Sequence, residues 1–374
     1  MYKKLSIDNL HYQWWKNVDK LIFFLIILLF LTGLFFSLVS TSLVASDKLD
    51  TNDYSFFFKH IIFICLGLGL IFIFSSINQD KLFKISIIIF LFSLIFLFLI
   101  PIIGVEVKGS KRWIDLELLP RFQPIELVKP FFIIFVSMIL SSKKYNNIFL
   151  KYSITSLATF MIVILLAIQP DIGQTLLILF SWLVLIFVSG ISISILIIFF
   201  LLLITFFSYL IIFVPKFDYI KNRILSFFDK ETGTHNFQSD KAIDSIISGG
   251  FFGKGIGEGT LKNKVPEAHT DYIISVISEE FGIIAIVLIL FLFLIFSYSV
   301  FKKVKNEIDE RIKLILVGSV SLILMQAMIH IGVNIRLFPT TGMTLPYISY
   351  GGSSIISISI LSGIILNLTK RKIS

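Results

Sequence analysis

Long uninterrupted apolar runs occupy most of this sequence, and they constrain its fold more than any other feature. A run of roughly 17 to 25 apolar residues is long enough to cross the hydrocarbon of a bilayer as an α-helix. The strands of a membrane barrel would instead alternate apolar and polar residues over short segments. The sequence therefore predicts about ten transmembrane helices, near residues 21–40, 57–76, 84–104, 124–140, 153–169, 172–189, 191–214, 272–300, 314–337 and 343–368.

Composition supports the same class of protein. Hydrophobic residues make up 56% of the 374 residues and charged residues 15%, and the mean hydropathy is +0.93. This is too apolar for a soluble core of that length, so we expect an all-α integral membrane protein. The polar breaks leave no room for a soluble domain, so residues 1–374 are expected to form a single polytopic domain. Its one long loop, 215–271, lies between helices 7 and 8.

The positions of basic residues predict the orientation. Lys and Arg concentrate in the connections at 81–84, 143–151 and 301–313 and in the C-terminal tail. The positive-inside rule places these segments in the cytoplasm, together with both termini, and the loop 215–271 on the outer face. The first run lacks a small-residue cleavage site, so we expect it to be retained. The single cysteine, Cys65, cannot form an internal disulfide.

Four basic residues do not follow this rule. Lys108, Lys111, Arg112 and Arg121 lie in a short connection on the predicted outer face, where topology does not require them. Binding of an anion, such as a phosphorylated substrate, explains their presence. Trp113 lies among them; alone it is typical of an interfacial anchor, and its basic neighbours make it a candidate for the same site. A nucleic-acid-binding function is disfavoured, because no soluble basic surface carries these charges.

Two further polar positions lie inside apolar runs. Glu126 and Lys129 are three residues apart on one face of the fourth predicted helix. They form either a neutralising pair that fixes packing or a polar patch at the mouth of a cavity, and both interpretations stay open. Asp171, in QPDIGQT, is typical of a helix N-cap, with a contribution to the same cavity as the lesser alternative.

Asp271 stands where the long loop re-enters apolar sequence. A carboxylate at that boundary is costly, so it indicates function. Glu267, His269, Glu279 and Glu280 add titratable groups beside it. The residue types provide no His or Cys cluster, so a dedicated transition-metal site is not predicted.

Glycines dominate the second half of the loop. The stretch SDKAIDSIISGGFFGKGIGEGTL predicts an amphipathic helix up to Ser248, followed by mobile glycine hinges. GGFFGKGIGEG is not a phosphate loop, because Lys254 is followed by glycine and no strand precedes it. The last connection, 334–354, is broken by Pro339, Pro346 and a glycine pair. Such irregular backbone at membrane depth must lie against protein or a watery cavity.

These motifs together resemble the SEDS family (shape, elongation, division and sporulation) of bacterial membrane proteins. KGSKRWIDL with RFQPIELVK, QPDIGQ, SDKAIDSIISGGFFGKGIGEG with PEAHTDYIISVISEEFG, and TTGMTLPYISYGGSS occur in the family's order, from about residue 104 to 356. GMTLPYISYGGSS and PEAHTDYI are more similar to the division member than to the rod-elongation member. One departure is the segment 117–120, which lengthens the spacing from Trp113 to Arg121 by one residue.

The resemblance implies a SEDS fold and a peptidoglycan glycosyltransferase. Such proteins polymerise lipid II on the outer face of the cytoplasmic membrane together with a class B penicillin-binding transpeptidase. The family's essential loop aspartate corresponds to Asp271 and its helix glutamate to Glu279. Its other motif residues correspond to Lys108, Trp113, Arg121 and Lys129.

The residues fit this reaction chemically. Glycosyl transfer from a lipid pyrophosphate needs a base for the attacking hydroxyl, for which Asp271 is the candidate, and positive charge for the leaving group. Glu279 keeps the surroundings of Asp271 polar or shares a divalent cation, Mg or Mn, with it; no cofactor is certain. The candidate substrate-binding residues are Lys108, Lys111, Arg112, Trp113, Arg121, Lys129, Arg223 and His269. A lipid II flippase, a rod-elongation polymerase and a non-catalytic scaffold are the alternatives.

Overall fold

The computed structural model describes residues 7–44, 54–107, 110–115, 120–143, 147–228, 237–261 and 265–370. Within these residues the helices and strands follow in the order α1 Ile7–Asn17, α2 Lys20–Val44, α3 Ser55–Ser76, α4 Gln79–Ile103, β1 Val105–Val107, β2 Ser110–Trp113, α5 Pro124–Leu140, α6 Ile148–Ile168, α7 Ile172–Val188, α8 Ile193–Phe213, a 3-10 turn Pro215–Phe217, α9 Asp218–Phe228, α10 Phe237–Gly249, α11 Ile273–Asn306, α12 Glu310–Asn334 and α13 Gly352–Leu368.

The predicted all-α membrane fold is confirmed, and each predicted run falls on a helix. In the described part of the chain, seven helices are long and apolar enough to cross a membrane. The fourth, sixth and tenth runs form α5, α7 and α13, which have 17 residues each. The predicted start of the tenth run, residue 343, is wrong, because the helix begins at Gly352. Tyr347 has a φ of +65°, which no right-handed helix accommodates.

The helix α13 lies at the centre of the bundle. Its residues from 353 to 368 are buried with the exception of Ile356. Small residues let it approach α3 closely: Gly67 faces Ser359, and Gly363 faces Phe74. The helix α8 is the opposite case, because most of its apolar side chains are exposed. In a membrane this surface faces lipid.

The connections at one end of the bundle carry the candidate residues. We call it the Asp271 end, and the opposite end of α11 the Lys303 end. The strands β1 and β2 form an antiparallel hairpin in which Val105 pairs with Trp113. The helix predicted in the long loop is confirmed as α10, and it ends at Gly249. The loop also contains α9, which the sequence did not indicate.

Candidate functional site

Asp271 lies where three segments meet, in the turn that leads into α11. Its amide donates to the carbonyl of Glu267 at 3.1 Å. Its own carbonyl accepts a 3.0 Å hydrogen bond from Asn334 Nδ2, at the end of α12. Its carboxylate faces Gly342, whose φ is +71°; a Cβ on that glycine would lie 3.5 Å from Asp271 Oδ2. The carboxylate is therefore held between the start of α11, the end of α12 and the irregular segment 335–351.

Asn334 joins Asp271 to a buried histidine. Its amide also donates to the carbonyl of His330, one turn earlier in α12, at 2.9 Å. His330 Nδ1 in turn lies 2.7 Å from the carbonyl oxygen of Met343. This bond fixes the segment next to Gly342. His330 is therefore a packing residue that shapes the wall beside Asp271, and it is not exposed to a ligand.

Arg112 and Asp171 form a second polar cluster at the same end of the bundle. The guanidinium of Arg112 donates to the carbonyls of Gln169, at 3.1 Å, and Pro170. It also lies 3.8 Å from Asp171 Oδ2, which accepts a 2.9 Å hydrogen bond from Gln123 Nε2. The hairpin thus places Arg112 over the turn between α6 and α7.

Asp171 has the capping role that the sequence predicts. Its Oδ1 accepts a hydrogen bond from the amide of Gln174, in the first turn of α7, at 3.3 Å. Its other carboxylate oxygen faces Arg112. Asp171 therefore also contributes to the polar cluster, as the second interpretation of the sequence has it. One carboxylate therefore caps a helix and orients a guanidinium.

The helix α9 brings Arg223 and Tyr219 to this cluster. Arg223 Nη1 donates to the carbonyl of Thr340 at 3.0 Å, and Tyr219 donates to the carbonyl of Ala167 at 3.3 Å. Burial, followed by the charge of Arg112, lowers the pKa of Arg223. The two guanidinium groups repel each other in a half-buried environment. A bound anion would relieve this repulsion, so the pair is a candidate anion site.

The cluster is linked to Asp271 through two neighbours. Thr340, the partner of Arg223, is two residues from Gly342, which faces Asp271. Tyr272 follows Asp271 in the chain. Burial, and then the charge of Asp271, raise the pKa of this tyrosine, whereas the charge of Arg223 lowers it. The carboxylate and the arginines therefore belong to one charged region.

An apolar cavity lies next to this region. It has a volume of about 290 Å³ and lies between α6, α8 and the 3-10 turn. The carbonyl of Ala167, one of the lining residues, is the acceptor of the Tyr219 hydroxyl. The cavity is lined by Phe160, Val163, Ile164, Ala167, Ile168, Phe206, Phe207 and Phe217. An apolar chain attached to an anionic head group would match the cavity and the arginines beside it.

The remaining candidates have surroundings of their own. Lys111 is exposed and Trp113 is half-buried on β2. Arg121 is also exposed and pairs with Asp115 at 3.1 Å. His269 packs its ring against Phe56, with ring centroids 4.5 Å apart. Lys108 and residues 117–119 of the departure at 117–120 lie outside the described residues.

Lys129 is enclosed in the helix bundle. Its side chain is 0% exposed, and its ammonium lies 2.7 Å from Glu126 Oε2. Gln326 on α12 accepts from the same ammonium at 3.1 Å, and Gln174 on α7 donates to Glu126 at 2.9 Å. The structure therefore supports the neutralising pair that fixes packing. In this arrangement Lys129 presents no surface to a substrate.

Glu279 is tied to the glycine-rich part of the long loop. It is fully buried, and its Oε1 accepts hydrogen bonds from Lys254 Nζ, at 3.2 Å, and from the amide of Leu261, at 2.9 Å. Glu280 accepts from the amide of Gly257 at 2.9 Å. Among the described residues no group of three His, Cys, Asp or Glu side chains could hold a metal ion. The carboxylate of Glu279 is thus engaged by the loop, and a cation shared with Asp271 stays a prediction.

Sequence reasoning missed the residues that reach this region from far along the chain. Tyr219, Thr340 and Tyr272 carried no signal of their own. Asn334 stands at the start of the broken last connection and carried no signal of its own either. Its contact with Asp271 follows from the meeting of α11 and α12, which the sequence does not show.

A helical bundle with a charged region at one end defines a polytopic membrane protein, and comparison identifies its family. The family model described as cell cycle protein, for FtsW, RodA and SpoVE, matches residues 19–373. The chain belongs to this family, so the predicted resemblance is confirmed.

The relatives are similar over nearly their whole length. The probable peptidoglycan glycosyltransferase FtsW of Caulobacter vibrioides is 32% identical over 368 residues, which cover 96% of this chain and 91% of the relative. The stage V sporulation protein E of Bacillus subtilis is 32% identical over 365 residues, which cover 95% of this chain and 98% of the relative.

Solved structures share the fold. A chain from a peptidoglycan synthase complex that coordinates polymerization and crosslinking has a TM-score of 0.77 at 26% identity, covering 94% of this chain and 97% of that chain. The rod shape determining protein RodA of Thermus thermophilus has a TM-score of 0.68 at 25% identity, covering 94% of this chain and 96% of that one.

Proposed function

We propose that this protein is a peptidoglycan glycosyltransferase that polymerises lipid II at the outer face of the cytoplasmic membrane during cell division. One observation carries the proposal: a carboxylate, a pair of arginines and an apolar cavity adjoin at one end of the bundle. They match the acceptor hydroxyl, the pyrophosphate and the lipid chain of such a substrate. The names of the relatives support the same activity and the division role.

In the proposed reaction, Asp271 acts as general base. Its carboxylate takes the proton of the attacking sugar hydroxyl, and the hydroxyl oxygen forms a bond to the anomeric carbon of the donor. The bond between that carbon and the pyrophosphate oxygen breaks, and the electron pair leaves with the oxygen. Arg112 and Arg223 bind the departing charge, which stabilises the transition state.

The other roles in the proposal follow from position. Arg121, Lys111 and Lys108 guide the anionic head group from the exposed rim, and Trp113 and His269 provide stacking surfaces. Glu279 positions the loop instead of touching substrate, because its carboxylate is bound to Lys254 and the Leu261 amide. A cation bound by Asp271 together with the pyrophosphate stays a prediction, which polymerisation with and without EDTA tests.

Orientation and partner are also part of the proposal. Both termini lie in the cytoplasm, so that Lys303 and Lys305 at the end of α11 face inside and Asp271 faces outside. The chain acts as one polytopic domain with the loop 215–271 on the outer face. A class B penicillin-binding transpeptidase crosslinks the strands; the similar chain from a peptidoglycan synthase complex supports such a pairing.

A polymerisation assay tests the activity. Purified protein in liposomes with lipid II should form glycan strands, and Asp271→Ala should lower the rate by at least about 100-fold, because a general base contributes that much. Asp244→Ala is the matched control, since Asp244 pairs with Lys241 on the surface of α10. Polymer made by the Asp271→Ala protein at the control's rate would refute the role.

The arginine pair has its own test. Arg223→Gln should lower kcat/KM for lipid II by roughly tenfold or more, because a charge-assisted hydrogen bond contributes about 1.5–3 kcal/mol. Arg311→Gln is the control, since Arg311 pairs with Asp309 at the Lys303 end. Lipid movement across the liposomes without polymer would support the flippase instead. The absence of both polymer and lipid movement would support the scaffold.

A further inference from the structure

Four large apolar side chains are exposed around the glycine-rich segment. Ile247 is 73% exposed, Phe251 73%, Phe252 82% and Ile256 65%. They come from the end of α10 and from the turns that follow it. Apolar clusters of this kind on a polar loop indicate a surface that binds something apolar.

The charge pattern of α11 indicates the depth of this cluster relative to the membrane. After Glu280 the helix carries no charge until Lys302, so its uncharged stretch is 281–301. A membrane-spanning helix needs roughly 20 such residues, so the hydrocarbon begins close to Gly282. The carbonyls of Gly250 and Phe251 accept hydrogen bonds from the amides of Ile283, at 3.0 Å, and Ile284, at 3.4 Å. The loop backbone therefore reaches the edge of the hydrocarbon.

At this depth the loop and α11 exchange backbone hydrogen bonds, and each provides both donors and acceptors. Gly282 has a φ of +74°, which interrupts α11 and deprives nearby groups of helical partners. The loop supplies acceptors to the amides after the break. It also supplies donors, because the amides of Lys254 and Gly255 bond to the carbonyls of Glu279, at 2.9 Å, and Glu280, at 3.0 Å. Irregular backbone persists next to lipid only when its polar groups are satisfied in this way.

Glycine is required at this joint. Gly253 has a φ of +78°, and a Cβ there would overlap the carbonyl of Glu280. A Cβ on Gly282 would overlap the carbonyl of Phe251. The glycines thus permit close approach of loop and helix, which is a different reason from the hinge mobility that the sequence suggests.

The exposed cluster continues a lipid-facing surface. Directly along α11, the side chains of Ile283, Ile284, Val287 and Leu288 are also exposed. Lys254, the basic residue within the segment, turns its ammonium towards Glu279. The apolar surface of the helix and that of the loop therefore meet.

We propose that residues 247–256 form a wedge that inserts into the leaflet on the Asp271 side, with Phe251 and Phe252 among the acyl chains. The wedge anchors the long loop at a fixed depth. It also fixes α10, whose Asp240 pairs with Arg336 in the segment that faces Asp271. This inference does not depend on the proposed enzymatic activity, because it rests on the loop and α11 alone.

Spin labels measure the depth directly. In a Cys65→Ser background, we would label Phe252→Cys, Val287→Cys and Glu258→Cys in liposomes without any partner. Val287 is an exposed apolar position of α11, and Glu258 is an exposed charged position of the same loop. The label at 252 should resemble that at 287: several-fold more accessible to oxygen and less accessible to a water-soluble nickel complex than the label at 258.

Two outcomes would overturn the wedge. A label at 252 as accessible to nickel as the one at 258 would place the loop in water. A label shielded from both reagents would mean that a second copy of the protein covers the cluster. Phe251→Cys provides a second position with the same expectation.

Discussion

Two pairs of glutamate and lysine stabilise different parts of this molecule. Glu126 and Lys129 lie one turn apart on α5, and both are almost fully buried. Glu279 and Lys254 join α11 to a loop 25 residues earlier in the chain, and the lysine side chain remains 33% exposed. The first pair is enclosed by helices on all sides, whereas one end of the second pair reaches the surface.

The difference lies in what each pair connects. Through Gln174 and Gln326, the α5 pair links three helices of the bundle. Loss of one charge there leaves the other without compensation in an apolar surrounding. The α11 pair attaches a loop to a helix, and its lysine can still be hydrated. We therefore expect the first pair to control folding of the bundle and the second to control placement of the loop.

The largest expected effect is at Lys129. Lys129→Met should destabilise the protein by about 3 kcal/mol, because it leaves Glu126 buried and unpaired. Thermal unfolding in detergent measures the change. The double variant Glu126→Gln with Lys129→Met should regain much of the lost stability, since it removes both charges.

The same double variant separates packing from substrate binding. If Lys129 only fixes packing, the double variant should recover polymer formation together with stability. A stable double variant without activity would show that Lys129 binds lipid II. A double variant as unstable as Lys129→Met would show that the unpaired charge of Glu126 does not cause the loss of stability.

A smaller effect is expected at Lys254. Lys254→Met should destabilise the protein less than Lys129→Met, because the lysine is partly hydrated and Glu279 keeps its bond to the Leu261 amide. Hydrogen exchange of the amides at 254–261 should become faster while the unfolding temperature changes little. Lys241→Met, which breaks a surface pair within α10, is the control. If Lys254→Met lowered the unfolding temperature as far as Lys129→Met does, the two pairs would not differ in their contribution to folding.

The smallest effect is expected from a third pair, at the Lys303 end. Asp19 Oδ2 lies 2.6 Å from Lys303 Nζ. Burial raises the pKa of Asp19, but the hydrogen bonds from Lys303 and from the Ile22 and Leu21 amides, together with the charge of Lys303, outweigh it, so that the net pKa is below 3.8. Its stabilisation is present above that pH and is lost as the pH falls through the lowered value.

Asp19→Asn tests this pH dependence. At neutral pH the variant should be slightly less stable than the natural protein, and the two should converge in acid below pH 3.8. Thermal unfolding over a pH series measures both. Equal stability of the two proteins at every pH would mean that Asp19 acts only by capping α2, through its bonds to Leu21 and Ile22, because Asn caps a helix as well as Asp.

Local patterns account for what the sequence predicts correctly. The spans follow from continuous apolar runs, and the Glu126–Lys129 pair follows from a three-residue spacing on one helix. The capping role of Asp171 also depends only on the next turn. In each case the partners lie within a few residues, so the backbone geometry of a helix brings them together.

Long-range packing accounts for what the sequence leaves open. Arg223 meets Thr340, and Glu279 meets Lys254, only because the long loop folds back onto the bundle. No spacing rule predicts those contacts. The same holds for the enclosure of Lys129, since its burial depends on α7 and α12 as much as on α5.

The break at Gly282 has a mechanical consequence. It divides α11 into a membrane-crossing rod and a shorter segment, 273–281, that begins just after Asp271. This segment is bonded to the loop through the backbone carbonyls of Glu279 and Glu280. A helix tilts when the bilayer thickness changes, but the break at Gly282 lets the rod tilt independently of the segment 273–281. Held at a fixed depth by the proposed wedge, the loop would then keep Asp271 at a constant height relative to the lipid in bilayers of different thickness.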